Sequence, residues 1–543
     1  MRCADSTGRA TARSLLIVLC AVLGAISQFH PGTASAAAVP LVSDREQVLI
    51  NLRGGLPGRW ESCHSTCSAG DEPQTLLGPV AGQARLAWDV AGDDEAGREL
   101  DNLEYEPVLR RANRATTVIL TSLRPFRGIR LIHRYRLDQD GRVLFASLQM
   151  PPGARLKLVG GPALAGTPLD GLASVYSRVR AVTINATDQI DITAEATDNG
   201  SVAPSTTLPA GEWTGIRGRF WTILLQAGSP LQQYRPDVTH DRATEAGAAD
   251  QVGVTLGREG GHGGIVELRV YGGPIAAADL QRVAPELGNM LYAGLWQWLR
   301  VLATGLRHLL EFWQGLVGNW GLAIVLLSLS VKFLMWPLTW VAERWQADVN
   351  RKQSLLAPEL AAVKRELKGE AAHNRTLEIY RQHGVSPLYT FKSLAGFLVQ
   401  IPVFIAAFDM LGEHIGLSGA RFLWVPDLAL PDRVLALPLA IPGLGGYLNL
   451  LPVLMAVLST GAAYLQEDPS LAPALRRAQR WRLYAMTGVF FLLLYAFPAG
   501  MVLYWTTNNF LHLLKMLFSH ISGRSAAGVP AVAPSGAIDI DRA

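Results

Sequence analysis

Lys332 is the only charged side chain in the run WGLAIVLLSLSVKFLMWPLTW, residues 320–340. About 20 apolar residues at helical rise cross the ~30 Å hydrocarbon core of a bilayer. A cation in that slab costs at least ~2.5–3.5 kcal/mol on insertion scales, so it faces a polar cavity or a partner. Ser328 lies one helical turn before Lys332 and shares its face, and Ser330 lies between them. The chemistry on offer is electrostatic: an ammonium group in a wet groove attracts anionic or polar segments. The competing reading is snorkelling, in which the lysine stem bends toward the interface that Trp336 and Trp340 mark.

Later apolar runs carry Gln400, Ser459, Thr460, Thr506, Thr507, Asn508 and Asn509. Each alone is interhelical hydrogen-bonding glue worth ~0.6 kcal/mol on average; together with Lys332 they could line one hydrophilic groove. Asp409 is the nearest carboxylate in the next apolar run, at the opposite depth. Enzyme chemistry is not indicated. H-E-x-x-H, G-x-S-x-G, a Walker loop and paired intramembrane aspartates are all missing. The Gly-rich stretch GREGGHGG (257–264) lacks the Lys-Ser/Thr of a phosphate loop and reads as a turn.

Hydrophobic residues make up 49% of the 543 and charged residues 17%, which argues against a wholly soluble chain. A net charge of +4 is too small to indicate a nucleic-acid partner. Of the four cysteines, Cys63 and Cys67 could pair in an oxidising compartment. His64 is the only extra ligand beside them, too few for zinc, and no cofactor is expected.

Residues 1–40 read as an export signal or signal anchor, with Arg2, Arg9 and Arg13 before an apolar stretch and Ala34-Ser35-Ala36 after it. Residues 41–275 alternate near period two in short runs (116–123, 129–137, 143–150, 190–194), which predicts a large exported β-sandwich. Residues 276–317, with Leu291, Leu295, Trp298, Leu302 and Leu306 at helix spacing, predict an amphipathic helix on the membrane surface. Residues 318–518 predict five membrane helices, at about 320–340, 391–411, 448–465, 483–497 and 500–518. A charged helical hairpin is expected at 342–390, with Leu355, Leu356, Leu360 and Val363 on its apolar side, and an exposed Pro/Gly-rich connection at 412–446. The tail 519–543 reads as disordered. Lys and Arg crowd 342–390 and 466–482, so these loops are expected in the cytoplasm, with the 41–275 domain outside and the C-terminus inside.

The order of motifs over about 290–520 resembles the YidC-type membrane protein insertases of bacteria. The strings that carry it are VGNWG (317–321), Val331-Lys332, MWPLT (335–339), VSPL (385–388), QIPVF (400–404) and FPAGMVLYW (497–505), followed by Asn509. The 41–275 block is similar, more loosely, to the large periplasmic domain of Gram-negative members. The resemblance implies a five-helix insertase core around a hydrophilic groove open to cytoplasm and lipid, in the bacterial inner membrane. It implies that Lys332, Ser328, Gln400, Tyr504, Trp505, Asn508 and Asn509 line that groove. Nascent membrane proteins, the Sec translocon, the ribosome through the hairpin, and membrane lipids are the implied partners. The family usually has Arg where Lys332 stands, usually Tyr where Trp505 stands, and Trp where Ala496 stands. A secondary transporter with an anion-binding lysine is the alternative, and an assembly scaffold built on the β-domain is a third reading.

Overall fold

The computed structural model describes residues 38–64, 73–80, 83–112, 114–138, 141–169, 171–191, 204–239, 251–383, 395–441, 444–465 and 473–521. The export segment up to residue 37, Cys67, the VSPL string and the tail from 522 lie outside the described residues. The strand Ala38–Val42 already belongs to the exported block, so folded chain begins within the last residues assigned to the signal.

The N-terminal half is antiparallel β structure in three sheets. A nine-stranded sheet runs in spatial order Gln189–Asp191, Arg180–Ile184, Trp213–Arg217, Trp221–Ala227, Gly264–Pro274, Val143–Met150, Ile132–Asp138, Ala115–Ser122, Tyr105–Ala112. A five-stranded sheet (Pro204–Leu208, Leu231–Thr239, Gln251–Gly257, Ala154–Gly160, Arg85–Val90) and a four-stranded one (Ala38–Val42, Glu46–Asn51, Pro57–Ser62, Gln74–Leu77) complete it. Alternation explains the layering. In Ile132–Asp138 the side chains of His133, Tyr135 and Leu137 turn inward and their neighbours outward. One apolar cluster, including Trp60, Trp88, Tyr135, Leu158 and Leu225, draws on all three sheets. Helix α1 (Asp94–Asp101) is capped by the Asp93 carboxylate, which accepts from the Ala96 N–H at 3.0 Å.

A buried charge network ties the sheets to the first helix after them. Arg142 donates to Glu46 at 2.8 Å and to the Cys63 carbonyl at 2.9 Å, and its Nε lies 3.2 Å from Asp279 in α2 (Ala277–Val283). Cys63 is disulfide-bonded. The single helix expected over 276–317 is interrupted. After α2 comes a 3₁₀ turn, Pro285–Met290, and the main helix α3 is Gln297–Val317. Pro285 has no N–H to continue the α2 ladder, and Tyr292 takes a left-handed φ of 56°. Leu291 and Leu295 therefore lie before α3. Its packed face is Leu299, Ala303, Leu306 and Leu310, while Trp298, Val301, Phe312 and Leu316 stay exposed.

VGNWG is a joint between helices. Gly318, at φ 68°, ends α3, and the Asn319 side chain caps α4 (Trp320–Glu366) by accepting from the Leu322 N–H at 3.0 Å. Helix α4 runs 47 residues with Pro337 and Pro358 inside, so the 320–340 run and the first arm of the 342–390 segment are one helix. Gly369, at φ 64°, turns the chain into α5 (Gly369–Gln382). Val349, Leu356 and Val363 pack with Ile379, and Leu360 lies against them; Leu355 faces out instead.

Helices α6 (Ala395–Glu413), α7 (Leu450–Leu465), α8 (Pro473–Leu494) and α9 (Ala499–Ile521) follow. Helix α8 begins well before residue 483, so Arg476, Arg477, Arg480 and Arg482 are helical rather than looped. The 412–446 connection is exposed only in part, as at Leu423, Val434 and Leu435. Leu417, Val425, Leu428 and Ala429 are buried, and the N–H groups of Ala499 and Gly500 donate at 2.8 Å to Leu430 O and Leu428 O. The free N–H groups at the start of α9 need acceptors, and this segment supplies two. Among the described residues one helical stretch, Trp320–Val349, is long and apolar enough to cross a membrane, and Leu450–Leu465 is a shorter apolar helix.

Candidate functional site

Helix α9 packs against α4, α6 and α7. Helical periodicity sorts its polar residues. Tyr504, Asn508, His512 and Lys515 recur at four- and three-residue steps, so they form one stripe. On α4, Ser328, Lys332, Thr339 and Glu343 share a face at steps of four, seven and four, Glu343 lying about three turns past Lys332. The two stripes meet across the α4–α9 seam. Ser328 is fully buried there, its hydroxyl donating to Ile324 O at 3.0 Å and lying 3.4 Å from Tyr504 O. It is a packing residue of the seam. Farther along, Lys515 pairs with Glu343 across it.

Lys332 is half-buried and makes no hydrogen bond or ion pair among the described residues. Lys515 and Glu343 are the charged groups near enough to act on it, and His512 lies in the same field. Neighbouring Phe333 and Leu334 are 76% and 75% exposed, the accessibility of a helix flank that faces outward. Asp409 is not a partner. It lies at the far end of α6 beside Glu413, Arg217, Arg180 and Arg300. Trp340, expected as an interface anchor, lies under the Arg344 guanidinium, 3.4 Å from its ring centroid.

The remaining residues divide by role. Tyr504 is 1% exposed, and its hydroxyl and the Asn508 Oδ1 find no hydrogen-bond partner among the described residues. The Asn508 amide donates to Tyr504 O at 2.9 Å. Asn509 turns the other way and donates to Ser459 Oγ on α7 at 2.7 Å. Trp505 lies in an aromatic cluster with Phe404 of α6, at 4.4 Å between ring centroids, and Phe490 of α8, at 4.7 Å. Gln400 is half-buried on α6 and makes no hydrogen bond among the described residues. Thr506 and Thr507 donate back to Val502 O and Leu503 O within their own helix. Ser330 accepts from Trp313 Nε1 of α3 at 3.0 Å, away from the Ser328 face. The structure therefore brings Lys332, Ser328, Tyr504 and Asn508 to one seam and sets Asn509, Trp505 and Gln400 on other faces of the bundle.

Sequence reasoning missed His512, Lys515 and Glu343. The signal was there: His512 and Lys515 continue the Tyr504–Asn508 stripe at steps of four and three within the 500–518 run, and Glu343 continues the Ser328–Lys332 face about three turns on, past the end of the 320–340 run. Among the described residues no group of three His, Cys, Asp or Glu could hold a metal ion.

Comparison with known proteins converges on the same segment. The model of the 60Kd inner membrane protein family matches residues 312–524, from the end of α3 through α9. The membrane protein insertase YidC of Syntrophobacter fumaroxidans is 31% identical over 253 residues, 46% of this chain and 42% of that protein. The one from Methylobacillus flagellatus is 31% identical over 265 residues, 48% of this chain and 43% of that protein. The chain thus spans under half the length of the curated relatives it matches. A crystal structure described as an active YidC insertase with its first transmembrane domain resolved aligns over 94% of this chain and 99% of that one, at 16% identity and a TM-score of 0.34. These relatives are membrane protein insertases by name, and residues 312–524 of this chain match the 60Kd inner membrane protein family.

Proposed function

We propose that the chain is a membrane protein insertase and chaperone that admits the polar part of a new membrane protein between α4 and α9 and releases its apolar helix into lipid. The observation that carries this reading is Lys332: a cation set among apolar residues, without an ion pair among the described residues, within the family segment. Isolated in hydrocarbon, such a group would be too costly to keep, so it calls for water beside it. On the facing stripe of α9 lie a hydroxyl and a carboxamide oxygen without partners among the described residues, Tyr504 Oη and Asn508 Oδ1. An incoming backbone carries N–H donors able to satisfy such acceptors, and a carboxylate in its tail would be drawn to Lys332.

In this reading α4 up to about Trp340, α6, α7, the second half of α8, and α9 cross the inner membrane. The remainder of α4 and α5 form the cytoplasmic hairpin, which is suited to a ribosome. The basic side chains of 342–390 and 473–482 support that orientation. The β-domain then lies in the periplasm and the C-terminus in the cytoplasm. The groove serves substrates alone or beside the Sec translocon, and the apolar helix of the substrate leaves along α6 and α8. No step needs a cofactor, since the work is solvation.

The test is site-specific photocrosslinking in proteoliposomes. Probes at Lys332 and Asn508 should capture a stalled nascent chain, whereas a probe at buried Ser328 should capture α9. Failure of both groove probes on a substrate that still inserts would refute the route.

A further inference from the structure

A second polar cavity, of about 280 Å³, lies where the β-domain meets the end of α6. Tyr176, Arg178, Arg180, Arg219, Asp409 and Glu413 are among its lining residues. Arg219 is only 5% exposed. It donates to Gly412 O at 2.8 Å and to Ala429 O at 2.7 Å, and its guanidinium lies 4.5 Å from the Phe220 ring centroid. Its Nη2 finds no partner among the described residues, and neither does the buried Oδ2 of Asp409 on the same cavity wall. Burial pushes the Arg219 guanidinium down to about 10, which leaves it charged at neutral pH. Arg217 is already spent on Glu413 at 2.8 Å and on Met290 O.

A buried donor and a buried acceptor left open in one cavity specify a ligand that carries both signs. A simple anion would meet Asp409, and a simple cation would meet the arginines. The cavity adjoins Gly294, just before exposed Trp296 and Trp298, side chains that favour the headgroup layer. We propose that this cavity holds the headgroup of an aminophospholipid, with the phosphate on Arg219 and Arg178 and the primary ammonium on Asp409. The lipid would then clamp the β-domain to the helical half at the outer face. The inference goes beyond the insertase reading but shares its placement of the end of α6 at that face.

Native mass spectrometry of the full-length protein in detergent tests it, with phosphatidylethanolamine, phosphatidylglycerol and soluble glycerophosphoethanolamine titrated separately. Phosphatidylethanolamine should be retained at least tenfold more tightly than phosphatidylglycerol. Asp409→Asn should erase that preference, and Arg178→Gln, at an exposed position, should weaken retention of both lipids. Circular dichroism on each variant confirms that the protein is folded, and Arg178→Gln keeps the test open should Asp409→Asn not fold. Equal retention of the two lipids by the parent protein, an unchanged preference in Asp409→Asn, or unchanged retention of both lipids in Arg178→Gln would overturn the assignment. Binding of glycerophosphoethanolamine with the same dependence on Asp409 supports the site and makes a soluble headgroup its ligand. An insertion assay run on the same variants reads the groove separately, so loss of lipid preference with intact insertion, or the reverse, tells the two readings apart.

Discussion

Reversing the charge at position 332 is the sharpest perturbation of the proposed groove. The two ammonium groups of Lys332 and Lys515 and the carboxylate of Glu343 sum to +1 at the seam. A substrate carboxylate 4 Å from a net unit charge gains about 1 kcal/mol in bulk water and about 4 kcal/mol at an effective dielectric of 20. Lys332→Glu turns +1 into −1, so attraction becomes repulsion of similar size. Even a fully hydrated groove then loses about 2 kcal/mol, which is about 30-fold in an equilibrium constant. Lys332→Gln removes only the attraction and should cost about fivefold by the same arithmetic. Lys332→Arg keeps the charge and should retain function. The assay is protease protection of a small substrate inserted into proteoliposomes, with matched acidic and uncharged translocated tails. The ordering Arg ≈ Lys > Gln > Glu should hold for the acidic tail and flatten for the uncharged one. Wild-type insertion of the acidic tail by Lys332→Glu, or equal losses for both tails, would refute electrostatic capture.

The β-domain and the packing offer further tests. Glu46→Gln leaves buried Arg142 with Asp279 as its one carboxylate partner among the described residues and should destabilise the domain by about 3 kcal/mol, read from denaturant unfolding followed by tryptophan fluorescence. His133 accepts from the Gln149 N–H at 3.3 Å and contacts the Tyr105 hydroxyl at 3.0 Å. Burial pushes its imidazole down from the usual 6.5 to about 4. The unfolded chain therefore binds the extra proton first: stability is intact above pH 6.5 and declines as pH falls toward 4, by about 3 kcal/mol in all, and His133→Gln should flatten that dependence. A Cβ at Gly321 would clash with the Phe422 ring, so Gly321→Ala should loosen the 412–446 segment by about 1–3 kcal/mol, seen as faster hydrogen exchange at Ala499 and Gly500. Asn509→Leu and Ser459→Ala should each cost about 0.6 kcal/mol, with a coupling of similar size in a double-mutant cycle.

Alternation of side chains made the β-domain legible, because His133, Tyr135 and Leu137 must all point one way once one of them does. The sheet order was not legible. The strand Gly264–Pro274 joins Val143–Met150, more than a hundred residues earlier, and no local rule encodes that pairing. Lys332 announced itself by its cost in an apolar run. The partners of Ser328 and Asn509 did not, since a serine in a helix reads alike whether it faces a groove or a neighbouring carbonyl. Burial of the 412–446 segment was hidden for a comparable reason: Pro and Gly mark irregular backbone but say nothing about burial, and Leu417, Val425 and Leu428 are too irregularly spaced to form a face.

Helix α4 is about 70 Å long at helical rise, more than twice a bilayer core. Pro337 interrupts its ladder, leaving the carbonyl of Phe333 without the N–H that any other residue would supply. That weak point lies one turn beyond Lys332. Pro358 makes a second such break near the far tip at Glu366, so the rod has two weak points, the inner one beside the ammonium group. In the proposed orientation, the helix that carries the cation also reaches beyond the lipid to present its far end to a partner.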